Sequence, residues 1–256
     1  MKKIAFVTLF PDWIRESLSQ SMMARAEGSG AVEFSVVNPR SFCYDSHRKV
    51  DDIPYGGHPG MLMKAEPVAL AIESILVNSG CHSPHPVRSS PTSPSEEVAS
   101  LVDAISVKVA IVITEPSGAK FEQQQAQDLT EFDQIIFVCG HYEGIDHRIE
   151  ETFATHVFSI GDYVLTNGEL PALVMADAVV RLLPGVLGNQ DSLDEESFQN
   201  NLLGAPNYTR PEVWREQAIP DVLKSGNHAQ IDKWRNAQAL ERTKKRRPDL
   251  LEKKGS

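Results

Sequence analysis

Two turns between Cys139 and Pro171, CGHYEGIDHR and SIGDYVLTNGELP, each follow a short apolar run and each carry two glycines. Glycine lets backbone N–H and C=O groups approach a ligand directly, and in α/β proteins the loops after parallel strands are where nucleotide-like ligands bind. The run Gln134–Cys139 is short and rich in β-branched residues, which reads as a buried strand ended by Gly140, with a second bend at Gly144. The run His156–Ile160 stops at Gly161. Asn167-Gly168 then precedes Glu169-Leu-Pro171 and a helix, apolar nearly all round, expected from Ala172 to Leu183. Two strand ends and one buried helix converge, which is the signature of a pocket.

Other chemistry-bearing residues leave more than one reading open. Asp177 and Arg181 stand four apart on the apolar helix, so they share a face either as a structural ion pair or with Arg181 as a functional cation. The loop Pro54–Met61 holds three glycines and reads equally as a plain turn or as backbone lying against a ligand. His141 and His147 flank Glu143 and Asp146, but no H-x-x-x-H pair or cysteine partner accompanies them, and no metal cage is expected. Asp194, Glu195 and Glu196 read by themselves as a solvated acidic loop. No G-x-G-x-x-G follows an expected strand and no G-x-x-x-x-G-K-[ST] occurs, which disfavours an ordinary dinucleotide fold and a P-loop.

The elements that must position these residues form an alternation. Strands are expected at Ile4–Phe10, Val32–Asn38, Val109–Thr114, Ile135–Cys139 and Val157–Ile160, with helical stretches between several of them. That order favours an α/β fold with a mostly parallel sheet. The 256 residues suffice for one sizeable core and a small second domain. A Ser/Pro-rich segment near 78–106 reads as a mobile surface insertion. The expected domains are therefore 1–185 and 206–256, joined by a mobile linker at 186–205. Glu212–Gln217, Asp221–Ser225 and Ile231–Arg242 are expected as short helices of the second.

Charge divides along the same boundary. Residues 204–256 hold 12 Lys+Arg against 7 Asp+Glu, whereas residues 1–203 hold 13 against 28, so an acidic body carries a basic tail. The run Arg242–Arg247, near Trp234 and Arg235, reads either as a solvated helix face or as an RNA contact. Cys43, Cys81 and Cys139 show no paired spacing, no apolar run nears the roughly 18 residues of a membrane helix, and the N-terminus is too short for a signal peptide. A cytoplasmic protein with no membrane partner is expected.

Longer stretches carry a resemblance. Leu9-Phe-Pro11, Val50-Asp-Asp52, PYGG from Pro54, PGMLM from Pro59, Gly140–Asp146 and Ser159–Pro171 resemble the bacterial tRNA (guanine-N1)-methyltransferases of the SPOUT superfamily. So do PGVLG from Pro184, YTRPE from Tyr208 and SGNH from Ser225. The resemblance implies a homodimer whose α/β domain is tied in a C-terminal trefoil knot, followed by a small helical tRNA-binding domain. It implies S-adenosylmethionine as methyl donor and N1 of the guanine just 3′ of the tRNA anticodon as acceptor. The donor would lie against Thr114, Glu115 and Pro116, against Gly140, Tyr142 and Glu143, and against a third loop. That loop supplies Ile160, Gly161, Asp162, Tyr163, Val164, Leu165, Asn167 and Gly168, with Pro171 behind it. Magnesium dependence is a further trait of the family, with no ligand to name from these residues.

A neutral guanine N1 carries a proton that must leave before its lone pair can attack, so a carboxylate is required, worth about 10²–10⁴ in rate. The resemblance assigns Arg181 to the negative charge that builds on O6, and it assigns the base to the acid before Ser197-Phe198. There the chain departs from the family: the position holds Glu196 where the pattern has aspartate. The carboxylate is kept, on a side chain one methylene longer. Either the linker backbone compensates and Glu196 is the base, which is the reading favoured, or a neighbour such as Asp194 takes the role. His58, His141 and Asn167 are smaller departures, at turns where backbone does the binding.

Overall fold

The structure is a computed structural model that describes residues 1–78, 107–187 and 196–252. In chain order the first compact unit, Met1–Leu187, contains β1 (Lys2–Val7), α1 (Pro11–Leu18), α2 (Ser21–Gly28), β2 (Val32–Val37), β3 (Asp51–Asp52) and β4 (Leu62–Met63). It continues with α3 (Ala65–Asn78), β5 (Val109–Lys120), α4 (Gln123–Leu129), β6 (Gln134–Cys139), α5 (His147–Phe153), β7 (His156–Ser159) and α6 (Glu169–Val180). The Ser/Pro-rich segment 79–106, with Cys81, lies outside the described residues, as does the linker portion 188–195 with Asp194 and Glu195.

Five strands form one sheet in the order β2-β1-β6-β5-β7, every neighbouring pair parallel. Such a sheet is buried on both faces, which is why β1, β5 and β6 read as continuous apolar runs. Their alternate side chains go to opposite cores. Ile4, Phe6, Ala110, Val112, Ile135, Phe137 and Cys139 pack with α1, α2, α4 and α6. Ala5, Val7, Ile111, Ile113, Ile136 and Val138 pack with α3 and α5. Phe6 and Phe137, partners in register, stack with ring centroids 5.5 Å apart. Each large side chain so buried contributes about 1.5–3 kcal/mol, so the sheet's centre is the firmest base the molecule offers for a site.

Several boundaries differ from expectation in the first unit, among them the end of β5, which runs through a bulge to Lys120 rather than closing at Thr114. β1 stops at Val7 rather than Phe10, because the Thr8 hydroxyl takes the Phe10 N–H at 2.9 Å and Pro11 opens α1. The buried helix begins at Glu169, three residues before Ala172, and ends at Val180.

The second unit, Gly188–Ser256, is described from Glu196. It holds a two-stranded ribbon, β8 (Val213–Trp214) and β9 (Gln217–Ala218), a 3₁₀ turn at Asp221–Lys224, α7 (His228–Arg246) and α8 (Asp249–Glu252). Glu212–Gln217 is therefore a hairpin and not a helix. Arg215 and Glu216 both take positive φ (46° and 67°), the mirror-image turn that suits a tight hairpin and that a helix excludes. The expected helix Ile231–Arg242 is longer, opened by Asn227, whose side chain accepts the Gln230 N–H at 3.2 Å. Residues 203–204 lie on this helix: Leu203 N–H donates to Thr243 Oγ1 at 2.9 Å, and Arg242 Nη1 donates to the Gly204 carbonyl at 3.0 Å.

Candidate active site

Three adjacent strands meet where β6 and β7 end and β5 bulges, and the loops there line a cavity of about 200 Å³. The first loop is a bulge inside β5. Phe158 of β7 is registered with both Thr114 and Ala119, so Glu115–Gly118 bow out of the sheet. Gly118 makes that possible by close approach: a β carbon there would lie 2.7 Å from Phe158 N and from the Val157 carbonyl. Thr114, Glu115 and Pro116 line the cavity from this bulge.

The second loop runs from Gly140 to Asp146, with Tyr142 (φ 61°) and Gly144 (φ 122°) supplying its bends. It is stitched to the segment 61–63. Glu143 N–H bonds the Met61 carbonyl, Met63 N–H the Gly144 carbonyl and Asp146 N–H the Met63 carbonyl, at 2.9–3.0 Å. Gly60 (φ 100°) sits so tightly on the Glu143 side chain that a β carbon would come within 2.4 Å of its Cγ. The three-glycine loop thus meets the cavity wall at Gly60, while Tyr55–Gly60 stay exposed. Asp146 ends the loop by capping α5, taking Arg148 N–H at 3.1 Å and clasping its guanidinium at 2.8 and 2.6 Å, which holds its carboxyl below the usual carboxylate range. Gly140, Tyr142 and Glu143 line the cavity from here.

The third loop, 160–168, returns from the sheet's edge strand to its interior. Gly168 N–H bonds the Gly140 carbonyl at 2.8 Å, and the Gly168 carbonyl accepts Thr114 Oγ1 at 3.1 Å. A β carbon on Gly168 would stand 2.3 Å from Thr114 Oγ1 and 2.7 Å from Gly140 N, so this crossing of three loops is built for glycine by space alone. Ile160, Gly161, Tyr163, Val164, Leu165, Asn167, Gly168 and Pro171 line the cavity, whereas Asp162 does not. His141, Gly144, Phe158, Ser159 and Thr166 line it in addition. His141 and Thr166 lie within the loop stretches the resemblance points to, whereas Gly144, Phe158 and Ser159 lie outside them; a turn does not declare which residues face inward.

Two polar atoms on this wall, His141 Nδ1 and Asn167 Oδ1, are buried with no hydrogen-bond partner, as is Oε2 of Glu169 just behind it. Gln134 Oε1, which does not line the cavity, is buried in the same way, so these atoms do not by themselves mark a ligand contact. Glu169 is fully buried at the start of α6, and its Oε1 accepts the Thr8 hydroxyl at 2.6 Å. Burial pushes its carboxyl above the usual range, against the pull of the Thr8 hydrogen bond and of nearby His141. Burial also raises Glu115, and the neighbouring Glu150 carboxylate adds to the rise.

Arg181 stands at the other end of α6, half-buried, its N–H bonded to the Asp177 carbonyl at 3.2 Å. A twelve-residue helix spans about 18 Å, so within one chain Arg181 and the cavity occupy opposite ends of α6. Glu196 is half-buried at the start of the described part of the second unit. Among the described residues no group of three or more His, Cys, Asp or Glu is placed to hold a metal, and His147 instead lies 3.6–3.7 Å from the Glu150 and Glu151 carboxylates. No helix among the described residues is long and apolar enough to cross a membrane.

The family profile described as "tRNA (Guanine-1)-methyltransferase TrmD" matches residues 1–253. The chain belongs to this family. Proteins named tRNA (guanine-N(1)-)-methyltransferase resemble it along nearly their whole lengths. The one from Dehalococcoides mccartyi is 44% identical over 98% of this chain and 91% of its own. That from Bacillus licheniformis is 44% identical over 98% and 92%, and that from Lachnoclostridium phytofermentans 45% over 96% and 90%. Family membership and cavity geometry coincide in the chain: the glycine-marked turns that carry the resemblance are the loops that build the cavity.

Proposed function

We propose that this tRNA (guanine-N1)-methyltransferase family member transfers a methyl group from S-adenosylmethionine to N1 of the guanine immediately 3′ of the tRNA anticodon. The observation that carries the reading is the cavity at the ends of β6 and β7 and the bulge of β5. Gly140, Gly144, Gly161 and Gly168 open its lining to backbone contact, and polar Thr114, Ser159 and Thr166 stand there beside apolar Val164 and Leu165. These residues fit the donor's adenosine, whose base and ribose take main-chain hydrogen bonds. Thr114–Pro116, Gly140–Glu143 and Ile160–Gly168 with Pro171 would hold it. When bound, S-adenosylmethionine supplies an electrophilic methyl group.

This chain's side chains do the rest. The Glu196 carboxylate accepts the proton from guanine N1, which frees the N1 lone pair, and the Arg181 guanidinium stabilises the charge displaced onto O6. The glutamate stem is longer by one methylene, which the backbone carrying it would have to offset. No step is assigned to magnesium, for which the described residues offer no ligand set.

Two further features are part of this reading. The chain leaves β7 at the sheet edge, passes the bulge of β5, and enters α6 bonded to the ends of β6 and β1, through Gly168 and through Glu169 to Thr8. That path supports a trefoil knot. Leu170 and Val174 of α6, with Phe10 and Trp13 beside them, are exposed apolar side chains, a face that favours a second copy of the chain.

The deciding measurement is methyl transfer from labelled S-adenosylmethionine to an unmodified tRNA transcript with guanine 3′ of the anticodon, alongside one with adenine there. Label at guanine N1 in the first transcript alone is the expected result. Transfer to both would move the acceptor elsewhere, and transfer to neither with donor bound would remove the catalytic reading.

A further inference from the structure

Trp214 is a large apolar side chain held in water on a narrow ribbon. Residues 211–218 are all exposed, and Val213 and Trp214 keep 57% and 56% of their surface. A two-stranded hairpin is marginal by itself, and leaving an indole so open forgoes the stabilisation its burial would bring. The ring is not bare, however. The Arg215 guanidinium carbon lies over it, 4.8 Å from the centroid, within cation–π range. Since Arg215 and Glu216 form the turn, the ribbon's tip presents an indole paired with a cation.

We propose that Trp214, backed by Arg215, is a stacking platform for one unpaired base of the RNA substrate. The inference rests on the reading that this chain binds tRNA and adds the contact by which its second unit does so. An indole face with a cation beside it suits a nucleobase, whose π-face stacks irrespective of base identity. Bases within a duplex have both faces occupied, so the platform takes a base from a loop. The flanking charges set the mode. Glu212 and Glu216 offset Arg210 and Arg215, so the ribbon carries no net charge to draw phosphate and makes its contact through ring faces, leaving phosphate neutralisation to the Lys/Arg-rich end of α7. The Lys/Arg-rich end of α7 in the same unit favours a nucleic acid over a protein partner.

The test is equilibrium binding of an unmodified tRNA transcript to the full chain across a salt series. Trp214→Ala is expected to weaken binding about 5–150-fold while leaving the slope of log affinity against log salt unchanged, because no ionic contact is lost. Trp214→Phe, which keeps a ring face, should stay within a few-fold of wild type. Abasic residues placed one at a time in the transcript's loops should abolish the difference between wild type and Trp214→Ala at one position. Equal affinity of wild type and Trp214→Ala would overturn the platform, and so would a Phe variant as weak as the Ala variant, since the ribbon rather than the ring face would then matter. Loss of a protein association with RNA binding intact would overturn it in favour of a protein partner. A wild-type chain that binds no tRNA would instead strike the underlying reading, and this one with it.

Discussion

Gly168 shows how one position without a side chain can define a site. Its φ of −87° is open to any residue, so what requires glycine is the absence of a β carbon where the bulge of β5 and the loops after β6 and β7 cross. Gly168→Ala should cost about 1–3 kcal/mol of stability, as overpacking does, and should weaken donor binding. Denaturant titration and calorimetric donor titration measure the two effects, and an unperturbed variant would mean that the crossing yields. Glu169 makes a different demand. Its folded-state carboxyl titrates above the usual carboxylate range because burial disfavours the charge. Between the usual range and the raised value the folded chain keeps a proton that the unfolded chain has lost, so stability falls as pH rises through that window. Glu169→Gln should flatten this stretch of a denaturation-midpoint series, and a variant that tracks wild type would place the titration elsewhere. The glycines of this site were legible in the sequence because a turn after an apolar run announces a loop at a strand end. The roles of Gly118 and Glu169 were not, since each depends on an atom of a residue distant in the chain: Phe158 N in one case, Thr8 Oγ1 in the other.

Elements carry the site through their ends, and the firmest example is the loop between β6 and α5. Asp146 caps α5, binds Arg148, and through its own N–H fixes the loop to Met63. Asp146→Ala should therefore cost about 1 kcal/mol from the lost cap and should loosen Gly140–Glu143 on the cavity wall. Denaturation and donor affinity should fall together, and a stability loss with unchanged affinity would detach the cap from the site. The strands were readable as far as their apolar runs extended, because burial on both faces of a parallel sheet leaves a continuous signal. Reading failed where polar bonds outrank periodicity. Thr8 ends β1 early by bonding Phe10 and Glu169, and the bulge in β5 continues a strand that the sequence closes at Thr114. The ribbon at 213–218 failed for another reason. Two residues per strand show no period, and the left-handed turn falls on Arg215 and Glu216, neither of them a usual turn residue.

At the scale of the molecule, α6 separates two parts of the proposed site. The cavity lies at its first turn, and Arg181, followed by the segment that leads to Glu196, leaves from its last, about 18 Å away. Exposed Leu170 and Val174 offer this helix to a second copy, and antiparallel packing of two such helices would bring the far end of one to the cavity of the other. In the proposed homodimer the site would draw its donor pocket from one chain and its base from the partner. Glu196→Gln alone should bind donor normally and slow single-turnover methylation at least about 10²-fold. Leu165→Arg alone, which sets a fixed cation in the cavity wall, should lose donor binding. Co-assembled at random in equal amounts, the two inactive chains should regain about one quarter of wild-type activity, because half the dimers are mixed and each mixed dimer has one intact site of two. Activity no higher than the sum of the parents would confine each site to a single chain, and Arg181 and Glu196 would then have to reach the cavity by a rearrangement of their own.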